Sequence, residues 1–212
     1  MRITIFGITG NAGQRIAKEA LDRGHTVVGV VRDSGKAPLA HPHLELVAGN
    51  VLDSQSVAAA VKGADAVVSA IGPGNFERTP FLADAARSLL AGLKQAGVDR
   101  LLVVGGAGTL EVAPGLQLVD SPYMPDAWKG IALAHRDALE VLQAETELNW
   151  TYVAPAGFFE PGERTGKYRV EINKLVADAK GNSRISMEDY AIAMLDEVEH
   201  PKHPKGRMSV GY

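Results

Sequence analysis

The chain has 212 residues with 22 Lys and Arg against 25 Asp and Glu, a net charge of −3, which is the size of one α/β domain. Hydrophobic residues make up 46% and charged residues 22%, which excludes a disordered chain, and the lack of any Lys/Arg run excludes nucleic acid as the main partner. There is no cysteine, which excludes disulfides, thiolate catalysis, Cys-bound zinc and iron–sulfur clusters.

In chain order, Met1-Arg2 leads into an apolar run that Gly7 interrupts, without a signal-peptide pattern. No apolar stretch approaches the ~18 residues of a membrane span, so the chain reads as soluble and cytoplasmic, with no membrane partner. Arg2–Phe6 predicts a first strand, and residues 12–23 a helix with Ala12, Ile16 and Ala20 on one stripe. Thr26–Val31 and Leu44–Val47 predict the second and third strands, and Asp53 or Ser54 caps a helix to about Lys62. Ala66–Ala70 is a fourth strand, residues 79–97 carry a helical period, and Leu101–Val104 is a fifth strand. Residues 105–128 hold four Gly and three Pro with little periodicity, the mark of a lid or binding loop. A helix from about Lys129 to Glu145 and a strand at Trp150–Val153 follow, then a Gly/Pro-rich loop with short strands near Tyr168–Glu171 and Leu175–Ala177. Ser186 caps a last helix to about Glu199, and Arg207–Val210 closes the chain. Alternating β and α segments of this kind predict a doubly wound parallel α/β sheet in one domain, residues 1–212, with the part from about residue 155 forming the substrate side.

The segment Gly7-Ile-Thr-Gly10-Asn-Ala-Gly13 falls between the first strand and first helix. Its G-x-x-G-x-x-G spacing permits a tight turn and lets backbone N–H groups approach a pyrophosphate at a helix N-terminus, as in a Rossmann fold. The alternative is a tight βα turn that binds nothing. About 20 residues on, where an acid would bind the ribose of NAD, the second strand ends in Val31-Arg32-Asp33. Arg32 suits a 2′-phosphate, which favours NADP over NAD, whereas Asp33, one residue later, would favour NAD, and a solvated Arg–Asp turn is the bland reading. Gly49-Asn50-Val51 and Ala70-Ile71-Gly72-Pro73-Gly74 end the third and fourth strands, at the carboxyl edge where such sheets bind ligands.

The opening ITIFGITGNAG, the strand end VVGVVRD, SAIGPG, and the succession RLLVVGGAGTL…NWTYVAPAGFFEPGERTGKY resemble the atypical short-chain dehydrogenase/reductase family over essentially the whole chain. The nearest branch is the NADH-flavin reductases, related to biliverdin/flavin reductases and more distantly to NmrA-like regulators. The resemblance implies Thr9, Gly10, Asn11 and Ala12 around the phosphates, with Arg32 at the 2′-phosphate. It implies Asn50 and Val51 at the adenine, although relatives commonly carry Asp at the position of Asn50. Ala70, Ile71 and Gly72 would approach the ribose and diphosphate. Gly105, Gly106, Pro155 and Ala156 would flank the nicotinamide, with Phe158 and Phe159 as an aromatic wall for a flat substrate.

The family's Tyr with a Lys four residues later is absent: Tyr123, Tyr152, Tyr168 and Tyr190 are followed at that spacing by Ala127, Ala156, Ile172 and Met194, and Tyr212 is last. Gly105-Gly106-Ala107 replaces the catalytic Ser. Alcohol–ketone chemistry and sugar-nucleotide epimerisation or dehydration are therefore disfavoured. Of six histidines, His135 is the candidate proton donor, with a packing role as its alternative. His41, His43, His200 and His203 lack zinc-site spacing, so no metal is expected. Lys129, Arg136, Arg164 and Lys167 form either a ring attracting an anionic substrate such as FMN or a solvated rim. The expected function is an NAD(P)H-dependent reductase transferring hydride to a flavin, quinone or tetrapyrrole, as a monomer or homodimer. The alternative is a non-catalytic NAD(P)-binding redox sensor.

Overall fold

The computed structural model describes residues 1–32, 40–72 and 74–212. The strands are β1 (Arg2–Phe6), β2 (Thr26–Val31), β3 (Leu44–Ala48), β4 (Ala66–Ser69), β5 (Arg100–Val104), β6 (Glu111–Ala113), β7 (Leu116–Gln117), β8 (Asn149–Pro155), β9 (Phe158–Glu160), β10 (Arg169–Ile172), β11 (Arg184–Ser186) and β12 (Gly206–Gly211). The helices are α1 (Asn11–Asp22), α2 (Ser54–Val61), α3 (Phe81–Ala96), α4 (Asp126–Gln143) and α5 (Met187–Glu199).

Eight strands form the main sheet in the order β10-β12-β8-β5-β4-β1-β2-β3, parallel except for the edge strand β10, which runs antiparallel to β12. The period of two along β1 explains the two-layer cover. Ile3 and Ile5 enter a core with Ile16 and Ala20 of α1 and Tyr190 to Val198 of α5, while Phe6 faces the opposite core of α2, α3 and α4. Strands buried on both faces read as continuous apolar runs, as TVVGVV of β2 does. At the amino edge the Arg100 guanidinium meets the Glu197 carboxylate at 3.0 Å, and both side chains are buried.

Two expected elements change and one strand pair is new. The stretch 105–128 is largely ordered: two 3₁₀ turns (Ala107–Thr109 and Leu118–Asp120) flank the β6–β7 hairpin, and α4 starts at Asp126 rather than about Lys129. Residues 175–177 form no strand. They are apolar because Val176 is buried, and the Leu175 N–H donates to the Glu111 carbonyl at 2.9 Å. The parallel pair β9–β11 was not anticipated, since three residues are too few to display a strand period.

Candidate functional site

The chain leaves β1 toward β2 and returns to its other side as β4, which places a topological switch point at the carboxyl ends of β1 and β4. Open α/β sheets bind ligands in that crevice. The glycine loop there divides its labour. Gly7 has φ 80°, and a Cβ on it would lie 2.4 Å from the Ala70 carbonyl oxygen. On Gly13 a Cβ would sit 2.1 Å from the Gly7 carbonyl oxygen, so the missing side chain lets α1 pack directly on the turn. Gly10 is different, since a Cβ there would meet protein only at 3.3 Å, also at the Gly7 oxygen. Its bareness leaves space above the loop for a ligand.

Gly10 is the N-cap of α1 and offers no side-chain cap, and the first turn carries no acid. Among the described residues, the N–H groups of Asn11, Ala12 and Gly13 therefore begin the helix without a competing side-chain acceptor, at its positive end. Gln14 braces the loop by donating Nε2 to the Thr9 carbonyl at 2.8 Å. This cradle fits a pyrophosphate. Arg32 lies exposed immediately beyond β2, while Asp33 and Pro73 fall outside the described residues. Asn50 is held in a turn: its N–H donates to Ser56 Oγ at 2.9 Å and its Oδ1 accepts the Leu52 N–H at 3.1 Å. Its amide NH₂ is the group left for an adenine, where an Asp would have offered an acceptor. Val51 and Ile71 are half-buried beside the edge, and Gly72 faces open space.

The end of β5 forms a second bare surface. A Cβ on Gly105 would collide with the Tyr152 ring at 2.2 Å, and one on Gly106 would reach the His135 ring at 2.9 Å. Tyr152 on β8 is fully buried; its Oη accepts the Gly106 N–H at 2.9 Å and donates to the His135 carbonyl at 3.4 Å. Tyr152 lacks a lysine at the family's spacing, yet Gly105 opposite its ring was the available signal. Burial raises the phenol's pKa well above its ordinary value, so it stays protonated. His135 is placed where expected, on α4 against Gly106, but desolvation pushes its pKa down to about 4. That shift favours the neutral ring, which can donate or accept a hydrogen bond.

β8 runs to Pro155, two residues past the expected strand end, and Ala156 follows it, buried. The proposed aromatic wall splits, because neighbouring residues on β9 point to opposite sides. Phe158 is 59% exposed, whereas Phe159 turns inward and lies 4.7 Å from the Tyr190 ring, in the core. Trp128, 41% exposed on the first turn of α4, takes its place and meets Phe158 edge-on at 6.3 Å. Phe76 and Tyr123 are also exposed, at 65% and 75%, and Gly130 admits the Phe76 carbonyl close against α4. Half of the four candidate cations are paired with carboxylates. Arg136 pairs with Asp120 at 2.8 Å and Arg164 grips Glu19 through two bonds of 3.0 and 2.9 Å. Lys129 and Lys167 are exposed.

Residues 7–201 match the NAD(P)H-binding family. The chain is 40% identical to the uncharacterized protein YwnB of Bacillus subtilis over 215 residues, 99% of this chain and 98% of that one. Among solved structures it resembles a "putative exported protein" of Burkholderia pseudomallei, with 45% identity, TM-score 0.92 and full coverage of both chains. It also resembles a "putative NADH-flavin reductase" of Streptococcus pneumoniae, with 33% identity, TM-score 0.89, and 100% and 99% of the two chains covered. With its switch-point crevice, glycine cradle and parallel sheet, the chain belongs to the NAD(P)H-binding family of Rossmann-like proteins.

Proposed function

We propose that the protein is an NAD(P)H-dependent reductase that passes hydride to a planar acceptor, with NADPH favoured over NADH by Arg32. The observation carrying this reading is the aromatic rim: Trp128 and Phe158 stand exposed in edge-to-face contact at the carboxyl edge, a surface suited to covering a flat ring. Bound NAD(P)H supplies the hydride, so the reaction asks little acid–base chemistry of the protein. The chain's part is positioning. Bare backbone at Gly105 and Gly106, held by Tyr152, lets a ring approach, and the rim keeps the acceptor at the ~3–3.5 Å that transfer requires. The neutral His135 can donate an N–H hydrogen bond to an acceptor carbonyl, leaving proton uptake to solvent. Residues 155–212 contribute the acceptor side through Phe158.

A second reading, a dinucleotide-binding redox sensor without turnover, is favoured by the engaged Tyr152 hydroxyl and the neutral His135. Absorbance of NADPH with FMN or methyl-p-benzoquinone, against protein-free controls and with NADH in parallel, separates the two. Oxidation well above the controls is expected. Arg32→Ala should raise the NADPH KM about 10-fold or more and leave that for NADH nearly unchanged, as for a lost charge-assisted hydrogen bond. Calorimetric NADPH binding without any oxidation overturns the reductase reading in favour of the sensor.

A further inference from the structure

A groove of about 960 Å³ runs between the β6–β7 hairpin and residues 174–181. That is the scale of a whole small-molecule site. Its floor is knitted by backbone bonds, from the Glu111 N–H to the Asn173 carbonyl at 2.8 Å and from the Leu175 N–H to the Glu111 carbonyl at 2.9 Å. Val112, Pro114 and Leu118 form one wall, and Leu175 and Ala177 the other.

Both walls are fastened to the site described above. On the hairpin side, the Thr109 carbonyl accepts a bond from Arg207, and the Gly106 N–H is held by Tyr152. On the other side, Ser183 Oγ accepts the Gly157 N–H at 2.9 Å while donating to the Val176 carbonyl, and the Ser183 carbonyl accepts the Phe158 N–H at 2.9 Å. Tyr123, which lines the groove, is exposed and precedes Trp128 by five residues. The groove therefore continues the acceptor end of the site.

Its chemistry differs from that of an anion site. Glu111 and Lys174 are the only charged residues lining it among the described residues, and they oppose each other in sign. The two arginines bonded to its walls are engaged with backbone carbonyls, Arg207 with that of Thr109 and Arg169 with that of Ala177. A phosphate-bearing tail would meet a carboxylate and one lysine, whereas an uncharged chain meets apolar walls.

We propose that this groove holds an uncharged apolar substituent of the acceptor, so that the acceptor is a quinone-type ring bearing an alkyl or prenyl chain rather than a flavin nucleotide. The inference rests on the reductase reading. In the reaction the C–H bond of the reduced nicotinamide breaks and its hydride, carrying two electrons, forms an O–H bond on one quinone oxygen. A solvent proton joins the other oxygen, the nicotinamide is oxidised and the quinone leaves as hydroquinone.

The test measures calorimetric Kd values, with NADP⁺ present, for methyl- and decyl-p-benzoquinone and for riboflavin and FMN. The decyl compound should bind at least about 10-fold tighter than the methyl compound, since each buried methylene adds affinity. That ratio should collapse toward one in Ala113→Glu, on the exposed hairpin, and in Ala177→Glu, on the facing wall. Far-UV circular dichroism confirms that the variants are folded. Equal Kd values for the two quinones, an unchanged ratio in both folded variants, or FMN binding tighter than riboflavin and both quinones would overturn the proposal. Turnover assays run alongside keep the two readings apart. Oxidation of NADPH without chain-length dependence sinks the groove assignment alone, and chain-length-dependent binding without turnover sinks the reductase reading alone.

Discussion

Two substitutions in the glycine loop should separate folding from binding, because the neighbours of Gly10 and Gly13 differ. A Cβ on Gly13 would lie 2.1 Å from the Gly7 carbonyl oxygen, 2.8 Å from its carbonyl carbon and 3.0 Å from the Ile8 Cα. These are backbone atoms of the turn and cannot swing aside as a flexible side chain would. Gly13→Ala gains about 1 kcal/mol of helix propensity, but forcing apart α1 and the β1 turn costs more, for a net destabilisation of about 1–3 kcal/mol. For a chain this long that corresponds to a fall in Tm of about 2–12 °C. Gly10→Ala meets the Gly7 carbonyl oxygen only at 3.3 Å, so its loss, including that of a favoured N-cap residue, should be smaller, about 0.5–1 kcal/mol. Its methyl group would instead intrude where the phosphates approach α1, and NADPH affinity should fall about 10-fold or more. Thermal melts and calorimetric NADPH titrations of both variants supply the comparison. Equal loss of Tm in the two variants, or undiminished NADPH binding by Gly10→Ala, would refute this division of roles.

Three further outcomes follow from buried polar groups. Tyr152→Phe leaves the Gly106 N–H without its partner, and should cost about 1–3 kcal/mol in denaturant unfolding while weakening dinucleotide binding; unchanged stability would remove Tyr152 as the brace of this surface. His135 should make stability pH-dependent: its folded pKa of about 4 lies below its unfolded value of about 6.5, so the unfolded chain takes up the proton first as pH falls. The contribution, about 3 kcal/mol, is complete above about pH 6.5 and disappears through pH 4. The excess slope of the native protein over His135→Gln between pH 6.5 and 5 measures it, and identical slopes would contradict the burial argument. Arg100→Met removes the guanidinium from the buried Glu197 carboxylate, which keeps the His203 ring and the Lys202 and His203 N–H groups, and should cost about 1–3 kcal/mol, with NADPH affinity per folded molecule unchanged because the pair lies at the amino edge. A lowered affinity would show that the two edges are coupled.

Local chemistry made much of this protein legible in its sequence. Arg2–Phe6 and Thr26–Val31 are strands to the residue, because parallel strands buried on both faces need unbroken β-branched runs. Gly7, Gly10 and Gly13 announced the cradle, since backbone that must turn sharply or approach a ligand admits no side chain there. The family match then bears out the NAD(P)H-binding assignment.

What tertiary structure decided involves residues whose roles depend on partners distant in the chain. Whether Phe158 or Phe159 faces solvent was settled by the pairing of β9 with β11, which fixes the pleat. Arg164 looked like a substrate-facing cation until Glu19, 145 residues away, claimed it. The lowered pKa of His135 comes from what packs around its ring, Gly106 included, and the helical pattern of α4 does not announce it. The stretch 105–128 carried too few periodic residues to reveal the hairpin whose face, set against residues 174–181, forms the groove. Short-range preferences therefore determined the sheet and the phosphate cradle, while charge pairing, desolvation and strand register, which exist only once distant segments meet, decided the acceptor side.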